Sequence, residues 1–109
     1  MPSENLNMDE ITEARRKAIV ETIHPISVEE LKALGEGLFP IVDHPWREKF
    51  FTFLSENAGA TFHHATTDDR IHLLYCHSQE KGMWFLPGSG MGPMQPKGLN
   101  ILKEIVEGG

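Results

Sequence analysis

Apolar positions along this chain change their period twice. Up to about Gly59 they recur at helical spacing, between Thr61 and Leu86 they become rich in aromatic and β-branched residues, and from Leu99 the helical spacing returns. The spacing predicts a first helix from Met8 to about Ile23. Asn7 is its N-cap, Glu10 the capping-box partner, and Leu6 and Ile11 the hydrophobic staple. Pro25 disfavours helical geometry at His24 and ends it. A second helix repeats the start signal with Ser27, Glu30 and the Ile26–Leu31 staple, and Gly35 and Gly37 are expected to stop it early. A third begins near Pro45, where a missing N–H costs nothing, capped by Asp43 or His44. Trp46, Phe50, Phe53 and Leu54 form its apolar stripe and Gly59 is its stop. A fourth runs from Lys97 to Glu107, with Leu99, Leu102, Ile105 and Val106 on one side.

Between the third and fourth helices lie Thr61–Thr66, Arg70–His77 and Met83–Leu86, which read as strands. A tight turn at Asp68 and Asp69 would set residue 67 opposite residue 70. Ser78–Gly82 is a second turn. Pro87 and Gly88 close the third strand, and Gly88–Pro96 (GSGMGPMQP) reads as a flexible loop into the last helix. The predicted order is α-α-α-β-β-β-α. Strands joined by short turns are antiparallel, so the expectation is an α+β fold with helices on one face of a three-stranded meander. Residues 1–7 are expected to be disordered and residues 8–109 to form one domain. The two open sheet edges would permit a homodimer.

The hydrophobic fraction, 39% of 109 residues, suffices for one core. A formal charge of -6 argues against nucleic acid. The only dense basic run, Arg15-Arg16-Lys17, is flanked by Glu10, Glu13 and Glu21 and reads as a solvated helix face. Cys76 is the only cysteine, which suits a reducing compartment. With no signal-peptide core and no apolar span, the expected location is cytoplasmic and no membrane partner is expected.

Two stretches are candidates for chemistry. In the Gly-rich loop, Gly88, Gly90 and Gly92 permit close backbone approach, and the N-terminus of the following helix, with Lys97 in its first turn, favours an anion. Ser89 lies between the first two glycines. The spacing nevertheless fits neither a dinucleotide fingerprint, a P-loop nor a nucleophile elbow. Trp84 and Phe85 are strand neighbours and point to opposite faces. Whichever leaves the helix-covered face would join Met83, Met91 and Met94 in an adaptable apolar patch beside the loop. The second stretch is the hairpin. With residue 67 opposite 70, His63, His72 and Cys76 share one face, His63 diagonal to the other two at roughly 7–8 Å. That would allow a two-ligand metal site or a thiol nucleophile with His63 as base. His72 and Cys76 are too far apart, about 13 Å, to join His63 on one ion.

The terminal Gly108-Gly109 is similar to the tail of ubiquitin-like and sulfur-carrier proteins over two residues. The order of elements does not fit that fold, so the pair reads as the stop of the last helix. With no complete catalytic or cofactor motif, the expectation is a non-catalytic binding or accessory domain without cofactor. It would recognise a protein partner or a small anionic ligand through Gly88, Ser89, Gly90, Gly92, Lys97 and Trp84. A metal- or thiol-dependent enzyme using His63, His72 and Cys76 is the alternative.

Overall fold

The computed structural model describes residues 11–88 and 90–108. Its elements are α1 (Glu13–Thr22), β1 (His24–Ile26), α2 (Val28–Leu38), α3 (Pro45–Glu56), β2 (Phe62–Thr66), β3 (His72–Cys76), β4 (Lys81–Leu86), β5 (Gly90–Pro93) and α4 (Pro96–Gly108). The α+β class holds. The sheet, however, has five antiparallel strands in the order β1-β2-β3-β4-β5, not three.

Both additional strands are edge strands that local preference does not announce. β1 is the tripeptide His24-Pro25-Ile26, paired with the outer side of β2. Proline is tolerated there because an edge strand has one side without ladder bonds. Thr22 fixes this corner, since its hydroxyl receives the Thr66 N–H at 2.9 Å and donates to the Ala18 or Thr66 carbonyl. β5 replaces most of the expected Gly-rich loop. Its glycines form a strand because Trp84 covers them. A Cβ built on Gly92 would lie 3.2 Å from the indole Nε1, and one on Gly90 3.4 Å from the ring. An aromatic side chain laid across glycines on the next strand supplies the packing the glycines lack. Gly88, at φ 82°, makes the turn between β4 and β5.

Helices cover both faces of the sheet, not one. Ala65, Leu73, Tyr75 and Trp84 face Ile19 of α1 and Leu102 of α4. Phe62, Leu74, Cys76 and Phe85 face Leu31 of α2 and Phe50 and Leu54 of α3. Trp84 and Phe85 do point to opposite sides, and each finds a core. The α3 stripe packs as its spacing predicts, with Phe50 and Leu54 buried and Trp46 and Phe53 at the margin.

Three local expectations shift. The expected cap at Asn7 and Glu10 lies outside the described residues, as do residues 1–7. Within them the first helix starts later, with Thr12 in extended geometry accepting the Arg15 N–H at 3.2 Å. α2 carries the Ser27–Glu30 capping box but runs through Gly35 and Gly37 to Leu38. Gly35 does not stop it. A Cβ there would come within 2.5 Å of the Phe50 ring, so this glycine lets α2 and α3 cross closely.

The third shift concerns the hairpin. The β2–β3 loop is one residue longer than a tight turn. The Arg70 N–H reaches the Thr67 carbonyl at 3.1 Å, the Thr67 N–H reaches Ile71 O at 2.9 Å, and Arg70 sits at φ 69°. This is the three-residue hairpin connection, a turn followed by a left-handed residue. Residue 67 therefore faces 71, His63 pairs with Tyr75 and His64 with Leu74. A one-residue slip sends every side chain of one strand to the other face relative to its neighbour.

Candidate functional site

That slip redistributes the histidines. His63 shares the α1/α4 face with Tyr75, whereas His72 and Cys76 lie on the α2/α3 face with His64. His63, His72 and Cys76 are not brought together. Cys76 is fully buried, its sulfur 3.6 Å from the Ser78 hydroxyl. A buried thiol without a base beside it is a small core side chain. Among the described residues no group of three or more His, Cys, Asp or Glu side chains is placed to hold a metal ion.

The imidazoles instead form two pairs, one on each face. His64 Nε2 lies 2.9 Å from His72 Nδ1, and His77 Nε2 lies 2.8 Å from His63 Nδ1. Each is a single N–H···N bond, so one facing nitrogen carries the proton and the other accepts it. The His64 and His72 planes are 13° apart, and the nearly parallel Phe85 ring follows beyond His72. His24 closes on His64 edge-on, 5.3 Å between centroids. Burial, with the nearby His72 and His24, lowers the pKa of His64 to about 4. Burial lowers His72 as well, and burial with His77 and His24 lowers His63. Burial therefore favours the neutral form of His63, His64 and His72, and each pair engages one nitrogen of each of its two rings.

The glycine-rich stretch distributes its residues differently. Gly90 and Gly92 lie under Trp84, so their open face is already filled. Gly88 is in the β4–β5 turn, while Lys97 is exposed in the first turn of α4, at the other end of β5. The two do not form one anion cradle. Ser89 lies outside the described residues.

What does form a concave site is the methionine patch. A groove of about 460 Å³ curls round the free edge of β5 and the start of β4, between α3 and α4. Met83 and Met91 wall it, Met94 forms the floor, and Phe53, Leu99 and Pro93 complete an apolar lining. Gly82 belongs to it by necessity. A Cβ there would lie 2.9 Å from Leu99 and 3.0 Å from the Met94 sulfur. Lys49 and Lys81 stand at the rim, and neither makes an ion pair among the described residues. Met83, Met91 and Met94 are legible from the sequence as a patch, and Gly92 as a residue of the neighbouring loop. Lys49, Phe53, Lys81 and Leu99 are not, because their arrival depends on how α3 and α4 flank the sheet edge. A larger hollow of about 700 Å³ beside the α2–α3 loop is shallow and lined by charges of both signs, Glu36, Asp43, Glu48 and Arg47.

No helix among the described residues is long and apolar enough to cross a membrane. Comparison of the chain with protein-family models, with curated proteins and with solved structures finds no match.

Proposed function

We propose that this chain is a binding module whose methionine groove takes a segment of a partner protein, one that presents a large apolar side chain next to a carboxylate. The observation that carries this reading is the union, in one cleft, of three methionines with two lysines that make no ion pair among the described residues. Thioether side chains adapt to irregular apolar partners and recur on surfaces that accept amphipathic peptides. Lysines at the rim of such a cleft attract an acidic group and fix its orientation. In a chain of net charge -6 they stand out against an otherwise repelling field. The groove is open along one side, whereas small-molecule sites bury most of their ligand. A partner that brings its own cover fits better than a free small anion.

Met83, Met91 and Met94 are three of five methionines in the chain, so methyl-labelled methionine reports the groove directly. The probe is an amphipathic peptide with Leu and Phe four residues apart and Asp beside them. Saturable shifts at Met83, Met91 and Met94, weakened roughly tenfold by Lys49→Glu with Lys81→Glu, support the reading. Shifts that never saturate overturn it. Saturation by decanoate well below the peptide's range would assign the groove to a small amphiphile instead.

A further inference from the structure

Resting on that reading of the groove, we propose that one partner is a second copy of this chain, whose α2–α3 loop seats Val42 in the methionine groove and sets Asp43 against Lys49 or Lys81. Ile41 and Val42 are 64% and 74% exposed, the most exposed large apolar side chains among the described residues. They stand on a tip that is already ordered. The His44 N–H reaches Ile41 O at 3.1 Å, and the Arg47 guanidinium donates to Phe39 O at 2.6 Å. Pro40 restricts the backbone at the base of the loop. Docking a preformed loop loses little conformational entropy. Two aliphatic side chains followed directly by a carboxylate are the chemistry the groove selects: apolar bulk for Met83, Met91 and Met94, and one negative charge for the rim lysines.

The sheet edges offer no competing route to self-association. β1 and β5 are three and four residues long, and each contains a proline. Met94 donates its N–H inward to Gly82 O at 2.9 Å. Alternation along the strand then leaves Met91 and Pro93 as the outward positions of β5, and proline has no N–H to offer. Loop and groove are different patches, so a two-fold arrangement uses each contact twice.

Sedimentation velocity from micromolar to millimolar concentration tests the contact. The wild-type coefficient is expected to rise with concentration. Val42→Lys at the exposed loop and Met91→Lys at the half-buried groove wall should each raise the self-dissociation constant at least roughly tenfold. Circular dichroism checks that they fold. Mixing the two variants restores one of the two contacts, the intact loop of one in the intact groove of the other, so association should return in part and exceed that of either variant alone. A wild type that stays monomeric throughout, a Val42→Lys chain that associates like wild type, or a mixture that associates no better than the separate variants overturns the proposal. The groove reading fails separately: Val42→Lys leaves the groove intact and should still bind the acidic peptide whatever its oligomeric state.

Discussion

His24, His63, His64, His72 and His77 crowd the β1–β3 end of the sheet, and Met83, Met91 and Met94 the β4–β5 end. The histidine end is the chemically richer of the two, with ten ring nitrogens in a small volume. Four of these nitrogens are engaged in imidazole pairs across β2 and β3 at 2.8 and 2.9 Å, and a fifth, His24 Nδ1, lies 2.8 Å from Thr22 O. The methionine end has weaker chemistry, an open apolar groove with two lysines at its rim that make no ion pair among the described residues. The proposed groove therefore rests on apolar surface and rim charge and not on the chemically richest residue types.

Trp84→Ala tests the architecture of the methionine end and should have the largest effect. It strips the cover from Gly90 and Gly92, so β5 loses its packing and the groove one wall. Unfolding in urea should show a loss of about 3 kcal/mol, and the peptide should no longer saturate the groove. A stability loss with unchanged binding would separate β5 from the site.

At the histidine end, His64→Ala should cost about 2 kcal/mol, from a cavity and from an orphaned His72. Replacing both rings, His64→Leu with His72→Leu, should restore most of it, since an apolar pair leaves no polar group unpaired. If the double variant is as unstable as the single one, the pair does more than satisfy itself.

The same end should dominate the response to acid. A histidine whose folded pKa lies below its unfolded value binds fewer protons when folded, so its contribution is complete above the unfolded value. It is lost as pH falls from 6.5 toward about 4, the window set by His64. His63 and His72 shift in the same direction and add to the slope. Urea midpoints across that window should fall for the wild type and flatten for the double leucine variant. Equal slopes in both would place the acid response elsewhere.

The fold was more legible than the site. Ser27 with Glu30, Pro45 with its aromatic stripe, and the three central strands announced themselves through local signals. β1 and β5 did not: a His-Pro-Ile tripeptide and a Gly-Met-Gly-Pro run have no strand preference, and they pair only because β2 and β4 offer free edges. Nor did the register, which turned on one residue. Arginine carries no signal for the left-handed geometry that Arg70 adopts, so the loop looked one residue shorter. That single added residue is what sets His63 on the α1/α4 face, away from His72 and Cys76. Arg70→Gly should relieve the strained position and stabilise the chain by about 0.5 kcal/mol, without changing which residues pair.

The smallest effect on stability should accompany the clearest effect on binding. Lys49 and Lys81 are exposed, on α3 and β4, and make no ion pair among the described residues. Their replacement by glutamate should therefore change the urea midpoint by no more than about 0.5 kcal/mol. If the groove selects an acidic apolar segment, the same change places like charges at its mouth. Affinity for the acidic peptide should fall roughly tenfold, mostly through slower association, and the fall should shrink as salt is added. A peptide with Asn in place of Asp should be nearly indifferent to the swap. Loss of affinity for both peptides alike would mean that the lysine stems, not their charges, shape the cleft. The methionine end would then be a purely apolar surface, and the contrast with the paired histidines would rest on packing alone.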